Sequence, residues 1–436
     1  MNQLLKNKVF QNASWIIACR VAQMLINLVV GMLTARYLGP DNYGVINYAG
    51  SVVAFTAPIM QLGFSNILVQ EIVNKPEEEG RILGTTIALS LISSAFCILG
   101  VLAFTSIANA GEPETIVVCF LYSISLIFQV LELTSYWFQA KLRSKYTSII
   151  MFCAYVAVAA YRVFLLATGK SVRWFALSQA LDFLLIGVGN IMMYKKLGGR
   201  QFSFSKDMAR RLLSKSRYYI VSGMMVTIFA QTDKIMIKLM LSSADTGFYS
   251  AAITCAGLSS FVFVAIIDSM RPSIFEGRKE STVKFESRLE LLYSVVIYLS
   301  LLQSVLMTGF AGVIINILYG AEYAPSIPAL RIVVWYTTFA YLGSVRNIWI
   351  LAENQQKHLW KINLFGALAN VILNYFLIPP MGINGAALAS LITQIFTNVI
   401  LGYIIRPIMP NNRIMIRGAN PAVVIRLLKD FGGKQP

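Results

Sequence analysis

Six basic side chains stand inside stretches of otherwise apolar sequence: Arg20, Arg162, Lys234, Lys238, Arg331 and Arg346. Against them stand the carboxylates of Glu132, Asp182, Asp233 and Asp268. An unpaired buried charge costs several kcal/mol, so a purely structural network tends towards neutrality. The surplus of cations points to a site that awaits an anion, and the planar fork of arginine suits a phosphate. Arg20, Arg162, Lys234, Arg331 and Arg346 are therefore the candidate substrate-binding residues. Lys234 shares a helical face with Gln231 and Lys238, at i, i+3, i+7. Lys238 lies nearer the end of its stretch and either joins that face or snorkels to the interface. Asp182 and Glu132 are the candidates for ion coupling, because a chain with no histidine in these stretches would need a carboxylate to carry a proton; either could equally neutralise an arginine. Asp268 and Arg271, at i, i+3, read as a structural pair.

The same stretches carry further polar groups at helical spacing. One has Gln23, Asn27 and Thr34 beside Arg20; another has Tyr122, Ser125, Gln129, Glu132 and Tyr136; a third has Asn363, Asn370 and Asn374. Each gives one wet face on an apolar helix. Such faces either line a polar cavity or bond one helix to the next. Catalytic groupings are missing. There is no phosphate-binding Gly-rich loop and no HExxH, and no nucleophile sits beside a histidine. The one histidine, His358, falls in a polar linker, and the five cysteines are spaced for neither zinc nor a disulfide framework. No catalytic residue, metal or cofactor is expected, and the chain does not read as an enzyme.

The elements that must position these groups are membrane spans. Of the 436 residues 57% are hydrophobic and only 13% charged, against about a quarter charged in soluble proteins. Apolar segments recur at 14–35, 43–73, 82–107, 114–139, 146–168, 174–194, 218–241, 246–275, 287–318, 325–352, 359–379 and 383–405. The expectation is an all-α polytopic membrane protein with twelve transmembrane helices. The opening MNQLLKNK is too short and polar for a cleaved secretion signal, so the first span is read as retained. With the N-terminus in the cytoplasm, Lys and Arg crowd the inner loops and the tail, and only Arg36, Lys170 and Arg173 fall outside. This is the positive-inside pattern, with both termini cytoplasmic. It accounts for the net charge of +17 through the anionic inner leaflet and membrane lipids, and without nucleic acid.

The chain also repeats itself. YGVINYA (43–49) matches TGFYSAA (246–252), YWFQAKLRSK (136–145) matches IWILAENQQK (348–357), and WFALSQ (174–179) matches GAALAS (385–390). The separations are close to constant at roughly two hundred residues, and each half holds six spans, which makes a parallel repeat about an axis along the membrane normal. The domains expected are an N-lobe (1–200), a basic cytoplasmic linker (201–216), a C-lobe (217–408) and a basic tail (409–436). Val423, Val424, Leu427, Leu428 and Phe431 in the tail have helical spacing and either lie on the membrane surface or are disordered.

These features resemble a family. RYLGPDNYGVINYA (36–49), WFQA with Lys145 (137–145) and QTDKIMIKLMLSSADTGFYSAA (231–252), in a six-plus-six repeat, look like the polysaccharide (O-antigen repeat-unit) flippases of the multidrug/oligosaccharidyl-lipid/polysaccharide exporter superfamily. The resemblance implies a multi-pass protein of a bacterial inner membrane. It would turn an undecaprenyl-diphosphate-linked oligosaccharide from the cytoplasmic to the periplasmic leaflet by alternating access. Two six-helix lobes would enclose a cationic cavity, with H+ or Na+ as coupling ion and polysaccharide polymerase machinery as partner. The alternatives are an ion-coupled multidrug antiporter of the same fold, disfavoured by Arg20 and the lack of a carboxylate in span one, and a membrane-embedded glycan polymerase, disfavoured by the lack of a large outside loop.

Overall fold

A computed structural model describes residues 8–422, with side chains described at Cys19 and from Ala22 onward. The tail residues Val423 to Phe431 and the side chain of Arg20 lie outside the described residues. Among the described residues the elements are helices and turns. Nine helices among the described residues are long and apolar enough to cross a membrane, or ten if one bent pair counts as a single span.

The first helical run, Lys8–Met60, is broken at Gly39, whose φ of 69° and ψ of 172° no helix accommodates. We call its parts α1 (8–38) and α2 (40–60). Pro40 follows at once and starts the new helix, where a missing N–H costs nothing. Then come α3 (Glu79–Ala108), α4 (Pro113–Ala140), α5 (Ser144–Ala167), α6 (Val172–Lys196) and α7 (Lys206–Met240). Next are α8 (Ser243–Ala256) and α9 (Ser260–Glu280), bent by 44°, and α10 (Thr282–Leu318). The chain goes on through α11 (Ser326–Ala352), α12 (Leu359–Met381), α13 (Ile383–Ile395) and the short α14 (Met409–Gly418). Contacts divide the chain into two compact units, 1–247 and 248–436.

In the first unit α3 shows how these helices are solvated. Its inner face is small and polar: Thr85, Thr86, Ser90 and Ser94 are buried. Its outer face is large and apolar, with Ile92, Phe96, Leu99 and Ile107 exposed. That is the reverse of a water-soluble helix. It follows when lipid is the outer solvent and small hydroxyls let helices approach. The hydroxyls are satisfied locally or across the contact: Thr86 Oγ1 donates to the Ile82 carbonyl, and Ser93 Oγ to that of Ile59 on α2. In the second unit α10 repeats the pattern, with Ser294, Ser300 and Ser304 buried and Leu302, Phe310 and Ile317 exposed. The protein is a multi-pass, all-helical membrane protein.

Two features of the first unit were not legible in the sequence. The stretch 201–203, the start of the segment read as linker, lies on the start of α3. A Cβ on Gly80 would meet the Gln201 carbonyl at 2.3 Å, and one on Gly84 would meet the Ser203 nitrogen at 2.5 Å. The Ser203 N–H donates to the Gly80 carbonyl, and Arg211 and Lys215 of α7 both pair with the buried Glu71, at 3.0 Å and 2.6 Å. Further along, α2 meets the start of α8 backbone to backbone. Gly44 approaches the Ser243 carbonyl and Gly247 approaches that of Pro40. These are the two glycines that the internal repeat aligns.

Candidate functional site: polar cavities of the first unit

The candidate residues fall in several places. Arg162 and Asp182 come together. α5 and α6 are joined by a short turn and pack side by side, which sets Arg162 and Asp182 on a cavity of about 280 Å³ with Asn27 of α1, Tyr155 and Gln179. Arg162 Nε donates to the Ser178 hydroxyl at 2.9 Å. Asp182 is buried, and its Oδ1 has no hydrogen-bond partner among the described residues. No carboxylate closes on the guanidinium as an ion pair within the described residues. A fork held by one neutral hydroxyl, facing a polar hollow, is set up to receive an anion. An orphaned carboxylate oxygen on the same hollow is set up to receive a cation or a proton.

Glu132 lies apart from this pair. It sits in a tighter 3-10 segment of α4, Val130–Thr134, and lines a second cavity of about 230 Å³ with Gln23, Ser135, Tyr136 and Gln139. Short 3-10 stretches inside helices often mark functional positions. The polar face read on this span does line hollows: Glu132 and Tyr136 here, and Tyr122, Ser125 and Gln129 in a further one.

Lys234 is half-buried on α7. Lys238, one helical turn on, does not snorkel. It is 6% exposed and its Nζ donates to Glu112 Oε2 at 2.6 Å. Glu112 lies in the α3–α4 loop, where it also accepts from Thr115. Partial burial works to raise its titration point, but the bonds from Lys238 and Thr115 outweigh burial and hold the carboxyl below the usual range. Sequence reading missed Glu112, because a loop carboxylate carries no periodic signal.

In the second unit Arg331 is exposed, one turn into α11. Arg346, on the same helix, is buried and its Nη1 donates to the Thr397 carbonyl at 2.7 Å. At 1.5 Å per residue they lie roughly 22 Å apart along α11, too far to grip one phosphate. Thr397 belongs to a π-helical turn, Phe396–Ile400, beside the bonded pair Asn398 and Gln394. Asn370 and Asn374 are buried; Asn374 Nδ2 donates to Asn370 Oδ1 along α12, and Asn370 Nδ2 donates across to the Ser390 hydroxyl of α13 at 3.5 Å, so that polar face ties α12 to α13. Asp268 and Arg271 form the expected pair at 2.9 Å.

An all-helical membrane protein with small polar groups inside and hollows among its helices belongs to the transporter-like folds, and the comparisons agree. The family model described as "Polysaccharide biosynthesis protein" matches residues 9–278, and the chain belongs to that family. A putative O-antigen transporter of Escherichia coli (strain K12) is 18% identical over 421 residues, 93% of this chain and 98% of that protein. The probable low-salt glycan biosynthesis flippase Agl15 of Haloferax volcanii is 20% identical over 82% of this chain and 75% of its own length. A membrane protein of Methanocaldococcus jannaschii is 26% identical over 48% of this chain, which spans only 44% of its length. Among solved structures, the lipid II flippase MurJ in an inward closed conformation superposes with a TM-score of 0.69 at 14% identity, over 98% of this chain and 93% of that one. An inward-facing multidrug resistance MATE family transporter of the MOP superfamily superposes at 0.68 and 15%, over 91% of this chain and 95% of that one. These structural likenesses establish the fold.

Proposed function

We propose that the chain is a flippase that carries an undecaprenyl-diphosphate-linked oligosaccharide, of the O-antigen repeat-unit kind, from the cytoplasmic to the periplasmic leaflet. The observation that carries this reading is Arg162: a guanidinium on a polar cavity, held by a serine hydroxyl and left open to an anion. Arg162 takes the diphosphate, with Lys234 as the second cation of the first unit; Arg20, Arg331 and Arg346 act at other stages of the passage. Asp182 binds the coupling ion, H+ or Na+, and its orphaned oxygen supports that role. Glu132 is the second ion-coupling candidate.

The architecture that goes with this function is twelve spans in two six-helix lobes, 1–200 and 217–408, rocking about an axis along the membrane normal. Taking α1 and α2 as separate spans, joining α8 to α9 and admitting α11 supports that count. The chain sits in a bacterial inner membrane with both termini cytoplasmic, alongside the polymerase machinery that consumes its product.

The test is surface polysaccharide in cells that carry Arg162→Ala or Arg162→Lys as their sole copy. Normal membrane levels with export reduced at least tenfold in Arg162→Ala, and partly restored by Lys, is the expected result. Full export by Arg162→Ala removes the anion site. Export of cationic dyes with intact surface glycan in a deletion strain would favour a multidrug antiporter instead.

A further inference from the structure

Two hollows beside the Arg162 cavity lack charge. One, of about 380 Å³, lies between the end of α2 and the membrane-entering part of α7 and is lined by Gln61, Ser65, Asn66, Tyr219, Ser222 and Thr227 with small apolar groups. The other, of about 290 Å³, adds Tyr122, Ser125, Gln129, Gln179 and Gln231. They share Ala57, Val226 and Thr227 and so adjoin. Gln179 lines both the second hollow and the Arg162 cavity. Among the described residues, none that lines either hollow is Asp, Glu, Lys or Arg. This is notable on α7, whose preceding turns carry Arg210, Arg211, Lys215 and Arg217.

The two helices touch closely at two points that border the first hollow. A Cβ on Gly63 would meet the Ser216 carbonyl at 2.8 Å, and one on Gly223 would meet Pro58 Cβ at 3.1 Å. Deeper in, Ser51 Oγ donates to Gln231 Oε1 at 3.0 Å and leaves the amide nitrogen of Gln231 to donate. The side chains of Gln61, Gln129 and Gln179 make no hydrogen bond among the described residues, and Tyr219 is half exposed. Amides and hydroxyls offer donors and acceptors together. An apolar ligand would leave them unpaired, which buried polar groups do not tolerate without a cost. A charged ligand would lose water and gain no counter-charge. A neutral polyol matches both demands, with Tyr219 and Tyr122 offering ring faces and hydroxyls.

We infer that this groove is the subsite for uncharged sugar residues of the cargo, continuous with the diphosphate site at Arg162, and that it rejects uronate sugars. This inference rests on the flippase reading above. The test uses purified protein in lipid nanodiscs and three probes: undecaprenyl diphosphate alone, the same lipid bearing a glucose trisaccharide, and that trisaccharide with glucuronate in its second place. The neutral glycolipid should bind about tenfold tighter than the bare lipid, and the glucuronate form should lose that gain. Gln61→Ala and Gln129→Ala should each erase most of the gain while binding the bare lipid as before, which also reports that they are folded. A gain unchanged in both variants, or equal for glucuronate, overturns the groove assignment and leaves the flippase reading in place. Failure of the native protein to bind any of the three probes overturns the flippase reading, and the groove assignment with it.

Discussion

Gly44 has no room for a side chain. A Cβ built there would lie 1.7 Å from the Ser243 carbonyl oxygen, 2.7 Å from its carbon and 2.9 Å from the Gly247 nitrogen. Real contacts of this kind stop at 3.0 Å. Gly44→Ala must therefore push α2 and the start of α8 apart by about 1.3 Å, and every atom in the way is backbone with no rotamer to escape into. Overpacking of this sort costs about 1–3 kcal/mol, and the rigid partner places the change at the upper end. Gly100, in the middle of α3, is the matched control, because nothing lies within 4 Å of its Cβ position. There the same substitution removes a flexible residue from a helix and should be neutral or gain about 0.5–1 kcal/mol. Thermal unfolding in detergent, followed by tryptophan fluorescence, separates the two. Gly44→Ala should unfold several degrees lower than the native protein, and Gly100→Ala at the native temperature or slightly above. Equal midpoints for the two variants would refute the close backbone contact between α2 and α8.

Three further outcomes follow from the polar groups. Glu112→Ala strands the buried Lys238; because Glu112 is itself half exposed, the expected loss is about 1–2 kcal/mol rather than the 3–5 of a fully buried pair, measured by the same unfolding assay against the double variant Glu112→Ala, Lys238→Met, which should recover most of it. The pair also fixes a pH dependence: the folded carboxyl titrates below its unfolded range, so its contribution is complete above the ordinary carboxylate pKa and is lost as pH falls through the lowered value, and Glu112→Gln should flatten the acid limb of stability against pH. Asp182→Asn keeps the shape of the side chain and removes its charge; lipid binding should persist while transport in proteoliposomes stops responding to an imposed proton or sodium gradient, and an unchanged gradient response would take Asp182 out of ion coupling.

Much of the site was written locally. That Tyr122, Gln129 and Glu132 share one side of their helix follows from helical period alone, as does the Asp268–Arg271 pair; that this side lines hollows is read from the structure. Asn370 looked the same in the sequence and proved to bond across to Ser390 of the next helix, since period tells which side chains share a face and not what that face meets. Arg331 and Arg346 share a helix, and its rise alone separates them.

By itself the sequence determined that this chain crosses a membrane many times as helices, that its cations outnumber its anions there, and which side chains share a face. Those properties depend on solvent preference and on neighbours three or four residues away. Tertiary structure alone decided that Lys238 meets Glu112, that the 201–203 stretch lies on Gly80 and Gly84, that Gly44 touches the start of α8, and that an uncharged groove adjoins Arg162. Each joins residues distant in the chain, and depends on the depth and rotation of one helix against another. Neither quantity is carried by the local pattern of either helix.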